Sequence, residues 1–251
     1  MRLINAEILK LVRRRGTMIW CALLTVGSVV ITETILVVLH AVNGAKHGPA
    51  GGATNLDHVV FVVGGLGNIA AILIASAAGT QDVSAGVFRD LVVTGRPRKL
   101  LFAVRFPGAV AVFLPLLAFG FGIAVLCAYV FAGSNPTPTA GAIGHYTAYL
   151  IGLTVTDIAI AIGLAALASS RVVVGVLIAW NAIIGPLLLN INSLGGVRKF
   201  IDVAAAQDFL PSISNSGTKI PMSTGTAVAV LITWSVVFLL VGRWWTERRD
   251  A

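Results

Sequence analysis

The sequence predicts an all-α membrane protein built around six transmembrane helices. Three observations carry that prediction. Hydrophobic residues make up 57% of the chain and charged residues only 11%, well below the roughly 25% charged residues of a soluble domain. Several apolar runs reach the roughly 20 residues that a helix needs to cross a bilayer. The positive charges gather beside those runs instead of lining one soluble face, so the net charge of +8 speaks for membrane orientation and against nucleic-acid binding. Six spans occupy most of the sequence. The expectation is one membrane domain over 1–251 and no soluble catalytic domain.

The elements follow in order. In residues 1–16, Ile4, Ile8, Leu11 and Val12 share one helical face, while Arg2, Lys10, Arg13 and Arg14 lie around the others. That pattern predicts an interfacial amphipathic helix whose basic residues face lipid headgroups. Span one is expected over 17–42, an apolar run too long for a cleaved signal peptide. A loop of turn-forming residues follows. Span two is expected over 58–80. Its Gly67, Ala71, Ala75 and Gly79 recur every fourth residue, which lets a neighbouring helix approach closely, either within one subunit or at a dimer seam. A basic, amphipathic stretch fills 81–105. Spans three to six are expected over 106–132, 145–169, 171–193 and 225–245. Pro115 and the Gly185-Pro186 pair are expected to interrupt spans three and five. Within 195–224, Val197, Phe200, Ile201, Ala204 and Ala205 have helical spacing beside Arg198, Lys199, Asp202 and Asp208. This predicts an amphipathic helix at the outer surface, followed by a return through Pro211.

Orientation follows from the basic residues. With the N-terminus in the cytoplasm, all of the 18 Lys and Arg except Lys46, Arg198, Lys199 and Lys219 fall on the cytoplasmic side. Both termini and the 81–105 segment are therefore expected inside, in a cell membrane. Trp20, Trp244 and Trp245 are expected at the inner interface, and Tyr129, Phe131, Tyr146 and Tyr149 at the outer one.

Catalytic patterns are missing from the sequence. There is no P-loop, no HExxH and no GxSxG, and His40, His47, His58 and His145 have no paired-ligand spacing. No catalytic residue, metal site or bound cofactor is expected. Cys21 and Cys127 fall at opposite depths, which argues against a disulfide. Glu33 lies in span one toward the outer leaflet, and Asp157 near the middle of span four. Ionisable groups there are costly and face a cavity or a partner. With Asn181 they are the candidate substrate-path residues. The alternative is polar contact between helices, helped by Thr32, Thr34, Thr154 and Thr156. No basic residue within a span is placed to pair with either acid.

The 81–105 segment carries Asp82, then Gly86, Arg89, Leu91-Val92 and a basic stretch through Arg96, Arg98 and Lys99 to Arg105. With the amphipathic N-terminal helix and six spans, it resembles the membrane subunit of ABC-2 type ATP-binding cassette transporters, over essentially the whole chain. That family more often has Glu where Asp82 stands, Thr where Val87 stands, and a Pro-x-Ser-Arg turn where 94–98 stand. The resemblance implies a non-catalytic permease subunit of an exporter, paired with itself or a sister subunit. It implies two copies of a separate ATPase subunit, which would hold the ATP and Mg. It also implies short outer helices within 195–224. It makes Asp82, Gly86, Val87, Phe88, Arg89, Asp90 and Leu91 a cytoplasmic coupling helix that fits a groove on the ATPase, a mode in which apolar anchors give affinity and charges give orientation. Drugs, antibiotics, lipids and peptides are the substrates it implies. The rival expectations are a secondary transporter driven through Glu33 and Asp157, and a non-transporting scaffold or immunity protein. The first would show an internal repeat of spans, and the sequence has none.

Overall fold

The computed structural model describes residues 2–84, 86, 93, 95, 97–210 and 220–248. Among these the regular structure is helical, with no strand. Six helices are long and apolar enough to cross a membrane: Arg15–Val42, Ala53–Asp82, Arg98–Val130, Ala140–Ala165, Ser170–Asn190 and Thr224–Arg248. They are spans one to six of a multi-pass membrane protein. Spans four and six start before their apolar runs, where a polar side chain caps the first turn. Thr139 Oγ1 accepts from the Ala142 amide and Ser223 Oγ from the Thr226 amide, each filling an otherwise unpaired donor at a helix start.

Spans two and four form the centre. In each, 67% of the most apolar window is buried inside the protein, against 22–33% in the other four. The small-residue stripe of span two explains this. Gly67, Ala71, Ala75 and Gly79 are all buried within the chain. A Cβ on Gly79 would stand 2.3 Å from Ala165 Cβ of span four. The stripe therefore serves packing within one subunit. Spans four and six cross just as closely. A Cβ on Gly163 would lie 2.3 Å from the Phe238 carbonyl oxygen. Gly163→Leu is expected to force these helices apart. Overpacking of this kind costs about 1–3 kcal/mol, read as earlier thermal unfolding in detergent. Gly65→Leu is the control, because a Cβ there meets nothing within 4 Å.

Several expectations need correction. Pro115 does not interrupt span three, whose helix Arg105–Val130 continues through it. In span five the disturbance comes before the Gly185-Pro186 pair, as a π-helical turn over Trp180–Ile184. A second π turn, Leu23–Gly27, lies in span one. Tyr146 and Tyr149 are core residues, 1% and 7% exposed, and not an interfacial belt. Tyr129, Phe131, Trp20, Trp244 and Trp245 are exposed. The N-terminal helix, Arg2–Val12, buries Leu11 and also Glu7, while Val12 is exposed.

The outer segment does not form one amphipathic helix across 197–205. A 3₁₀ stretch, Asn192–Phe200, is kinked at Gly195 (φ 50°), the extended Ile201 ends it, and a short helix runs over Asp202–Gln207. Val197 and Phe200 point outward, whereas Ile201, Ala204 and Ala205 are buried. Two indole hydrogen bonds hold this corner. Trp234 Nε1 donates to the Phe200 carbonyl at 2.8 Å, and Trp180 Nε1 donates to Asp202 Oδ1 at 3.0 Å. They turn Asp202 inward, against the sequence pattern.

Candidate functional site

Two places concentrate polar chemistry. The first is the end of the bundle where the chain leaves span two and re-enters at span three. The helix of span two runs on to Ser84, so Asp82 is on its last turn. Asp82 is 7% exposed and faces two cations. Lys10 Nζ of the N-terminal helix is 2.9 Å from its Oδ1, and Arg105 Nη2 of span three is 3.6 Å from its Oδ2. Arg105 also donates from Nη1 to the Gly79 carbonyl at 2.8 Å. Lys10 is shared with Glu7, at 2.5 Å from Oε2. Burial holds the Glu7 carboxyl above its ordinary pKa despite the nearby ammonium.

This arrangement corrects one charge assignment. Lys10 does not face the headgroups freely but points into the bundle, and Arg105, where span three begins, is 1% exposed. Both turn inward because a buried carboxylate requires a partner. The cluster thereby joins three elements around the base of the 81–105 segment. Gly86 is exposed and left-handed, with φ 71°, a conformation that favours glycine. Val87, Phe88, Arg89, Asp90 and Leu91 lie outside the described residues.

The second place is a cavity of about 650 Å³ between spans two, four and five and the short outer helix. Phe61, Ile69, Ile72, Leu153 and Ile178 contribute to its apolar walls. Asn68, Asn181, Tyr149 and Gln207 are its polar lining. Directly behind the two asparagines is Asp157, 1% exposed. Its Oδ2 accepts from Asn68 Nδ2 at 2.6 Å and from Asn181 Nδ2 at 3.1 Å. Asn181 belongs to the π turn of span five, and its neighbour Trp180 holds Asp202. That one turn thus links the membrane-embedded acid to the outer helix. Burial also raises the Asp202 carboxyl above its ordinary pKa.

Of the expected substrate-path residues, the structure brings Asp157 and Asn181 together. Glu33 is apart from them. It is 7% exposed in span one, and its Oε2 has no hydrogen-bond partner among the described residues. Asn68 escaped the sequence reasoning, which sought a cation for Asp157. The available signal was an amide in mid-span beside Gly67, on the packing stripe. Among the described residues no group of three or more His, Cys, Asp or Glu gathers to hold a metal ion, and both cysteines are free. Apolar walls with a few fixed polar atoms at one end make the cavity suited to binding a small molecule. No protein-family profile matches the chain, and no curated protein matches it.

Proposed function

We propose that this protein is the membrane subunit of an ATP-driven exporter. It works as a pair of membrane subunits with two copies of a separate ATPase that carries the ATP and Mg. The cavity between spans two, four and five is the substrate path, and 82–91 is the coupling element. The observation that carries this reading is the buried Lys10–Asp82–Arg105 cluster. A cytoplasmic motor needs a stiff base on which to push. The cluster ties the N-terminal helix, span two and span three together where the cytoplasmic segment begins and ends. A push on that segment would move span two, which also forms a wall of the cavity.

The reading is tested by isolating the full chain from its native membrane in mild detergent. A Walker A-containing ATPase should accompany it at equal stoichiometry, and substrate should stimulate ATP hydrolysis only in the complex. Isolation of the chain alone, with no such ATPase encoded nearby, contradicts the reading. Sidedness has its own test. A cysteine placed at position 95 should be protected from an impermeant reagent in intact cells, and labelling from outside would reverse the proposed orientation.

A second reading, ion-driven transport through Glu33 and Asp157, draws on the unpartnered oxygens of both acids. Substituting Glu33→Gln and Asp157→Asn is expected to leave a folded complex with altered substrate handling. Complete loss of transport in both, with ATPase binding and turnover unchanged, would favour the ion-driven mechanism.

A further inference from the structure

The polar end of the cavity is one-sided in its hydrogen-bonding capacity. Asn68 and Asn181 each direct an amide N–H to the same oxygen, Asp157 Oδ2. Among the described residues, Asn68 Oδ1 and Asp157 Oδ1 are buried with no hydrogen-bond partner. Asn68 is 4% exposed and lines the cavity. A buried acceptor without a donor is costly, as is a buried carboxylate without a counter-charge. Spans two and four contain no Lys or Arg, and span five has only Arg171 in its first turn. The other acid acting on Asp157 is Asp202. The site therefore presents unpaired acceptors beside a buried acid that lacks a counter-charge, at one end of an apolar cavity of drug-sized volume.

We propose that this cavity binds a hydrophobic monocation bearing N–H donors, a lipophilic ammonium, with its head on Asn68 Oδ1 facing Asp157. The apolar body lies against Phe61, Ile69, Ile72 and Leu153. A cation would supply the counter-charge that an ionised Asp157 lacks, and a neutral acceptor would leave both orphan oxygens unsatisfied. The two asparagines relay the attraction. Because the Asn68 amide N–H already points at the carboxylate, its carbonyl is left for the incoming donor. This inference deepens the reading of the cavity as substrate path.

The test uses the full chain without ATPase, in nanodiscs of zwitterionic phosphatidylcholine. The probe is dansyl-tagged octylammonium, compared with its neutral N-acetyl derivative and with dansyl-tagged octanoate. The ammonium should bind saturably, and about tenfold or more tighter than the acetylated form, as expected for a hydrogen bond to a charged group. Asp157→Asn and Asn68→Leu should each remove that preference. Gly65→Trp, which fills open space in the cavity lining, should abolish binding while leaving the polar trio intact. If Asp157→Asn fails to fold, Asn68→Leu and Gly65→Trp decide. Equal binding of the ammonium and acetylated probes, tighter octanoate binding, or ammonium binding unaffected by Asn68→Leu and Gly65→Trp would overturn the proposal. The measurement is separable from the ATPase reading. A missing ATPase leaves probe binding untouched, and absent probe binding leaves ATPase co-isolation untouched.

Discussion

Replacing Asp82 with Asn is expected to cause the largest loss of stability of any single substitution at the end of the bundle where span two gives way to span three. The Asp82 carboxylate is nearly inaccessible and lies between Lys10 and the fully buried Arg105. Removing its charge leaves the guanidinium in a low-dielectric site with an unbalanced charge. Breaking a buried ion pair from one side costs about 3–5 kcal/mol. Arg105→Met should relieve part of that cost, because the double variant no longer buries an unpaired cation. The cycle Asp82→Asn, Arg105→Met and both together should thus be strongly non-additive. Thermal unfolding in detergent reads this directly. Glu7→Gln is the internal comparison. Burial already disfavours the Glu7 charge, so the neutral side chain gives up mainly its contact with Lys10, about 1 kcal/mol. Equal losses for Asp82→Asn and Glu7→Gln would mean that the cluster does not hold the three elements together.

The spans were legible in the sequence because a bilayer allows few alternatives. Every backbone donor and acceptor within it must be paired internally, so long apolar runs become helices. The stripe at Gly67, Ala71, Ala75 and Gly79 was legible for the same reason, since close approach in lipid needs small residues. Charge counting does not reveal that Lys10 and Arg105 turn toward Asp82. The rule treats a cation near a span end as water-facing, and cannot see an acid such as Asp82 waiting one helix away. Tyr146 and Tyr149 failed similarly. An aromatic near a span end suits an interface, yet these two sit on the face that span four presents to the core.

The candidate site was half legible. Asp157 and Asn181 are unusual in an apolar span, and each marks the cavity. Their third partner, Asn68, is polar but uncharged, so no counting of charges reveals it. The π turn at Trp180–Ile184 was not legible either. An extra residue in one helical turn leaves no periodic signature over so short a stretch, although the following Gly185-Pro186 pair hints at disturbance. The outer corner went wrong because spacing alone put Ile201 and Phe200 on one face. The indoles of Trp180 and Trp234, distant in sequence, fix its actual course.

The second large effect concerns the 82–91 segment and is the most direct test of the central claim. If 82–91 docks in a groove on an ATPase, a few apolar anchors should hold most of the binding energy. Phe88 and Leu91 are the bulkiest apolar side chains there, with Arg89 setting orientation. Truncating one such anchor commonly costs more than about 1–2 kcal/mol, roughly tenfold in affinity, and two together should release the partner during purification. The measurement is ATPase stoichiometry after affinity isolation of the Phe88→Ala, Leu91→Ala double variant, with Phe200→Ala as control. Phe200 is exposed at the end of the Asn192–Phe200 stretch between spans five and six, which is not part of the Lys10–Asp82–Arg105 cluster. The double variant should insert normally, lose the ATPase and lose substrate-stimulated hydrolysis, while the control keeps both. A double variant that co-isolates the ATPase at full stoichiometry and couples normally would contradict the assignment of this segment, and with it the proposed role of the protein.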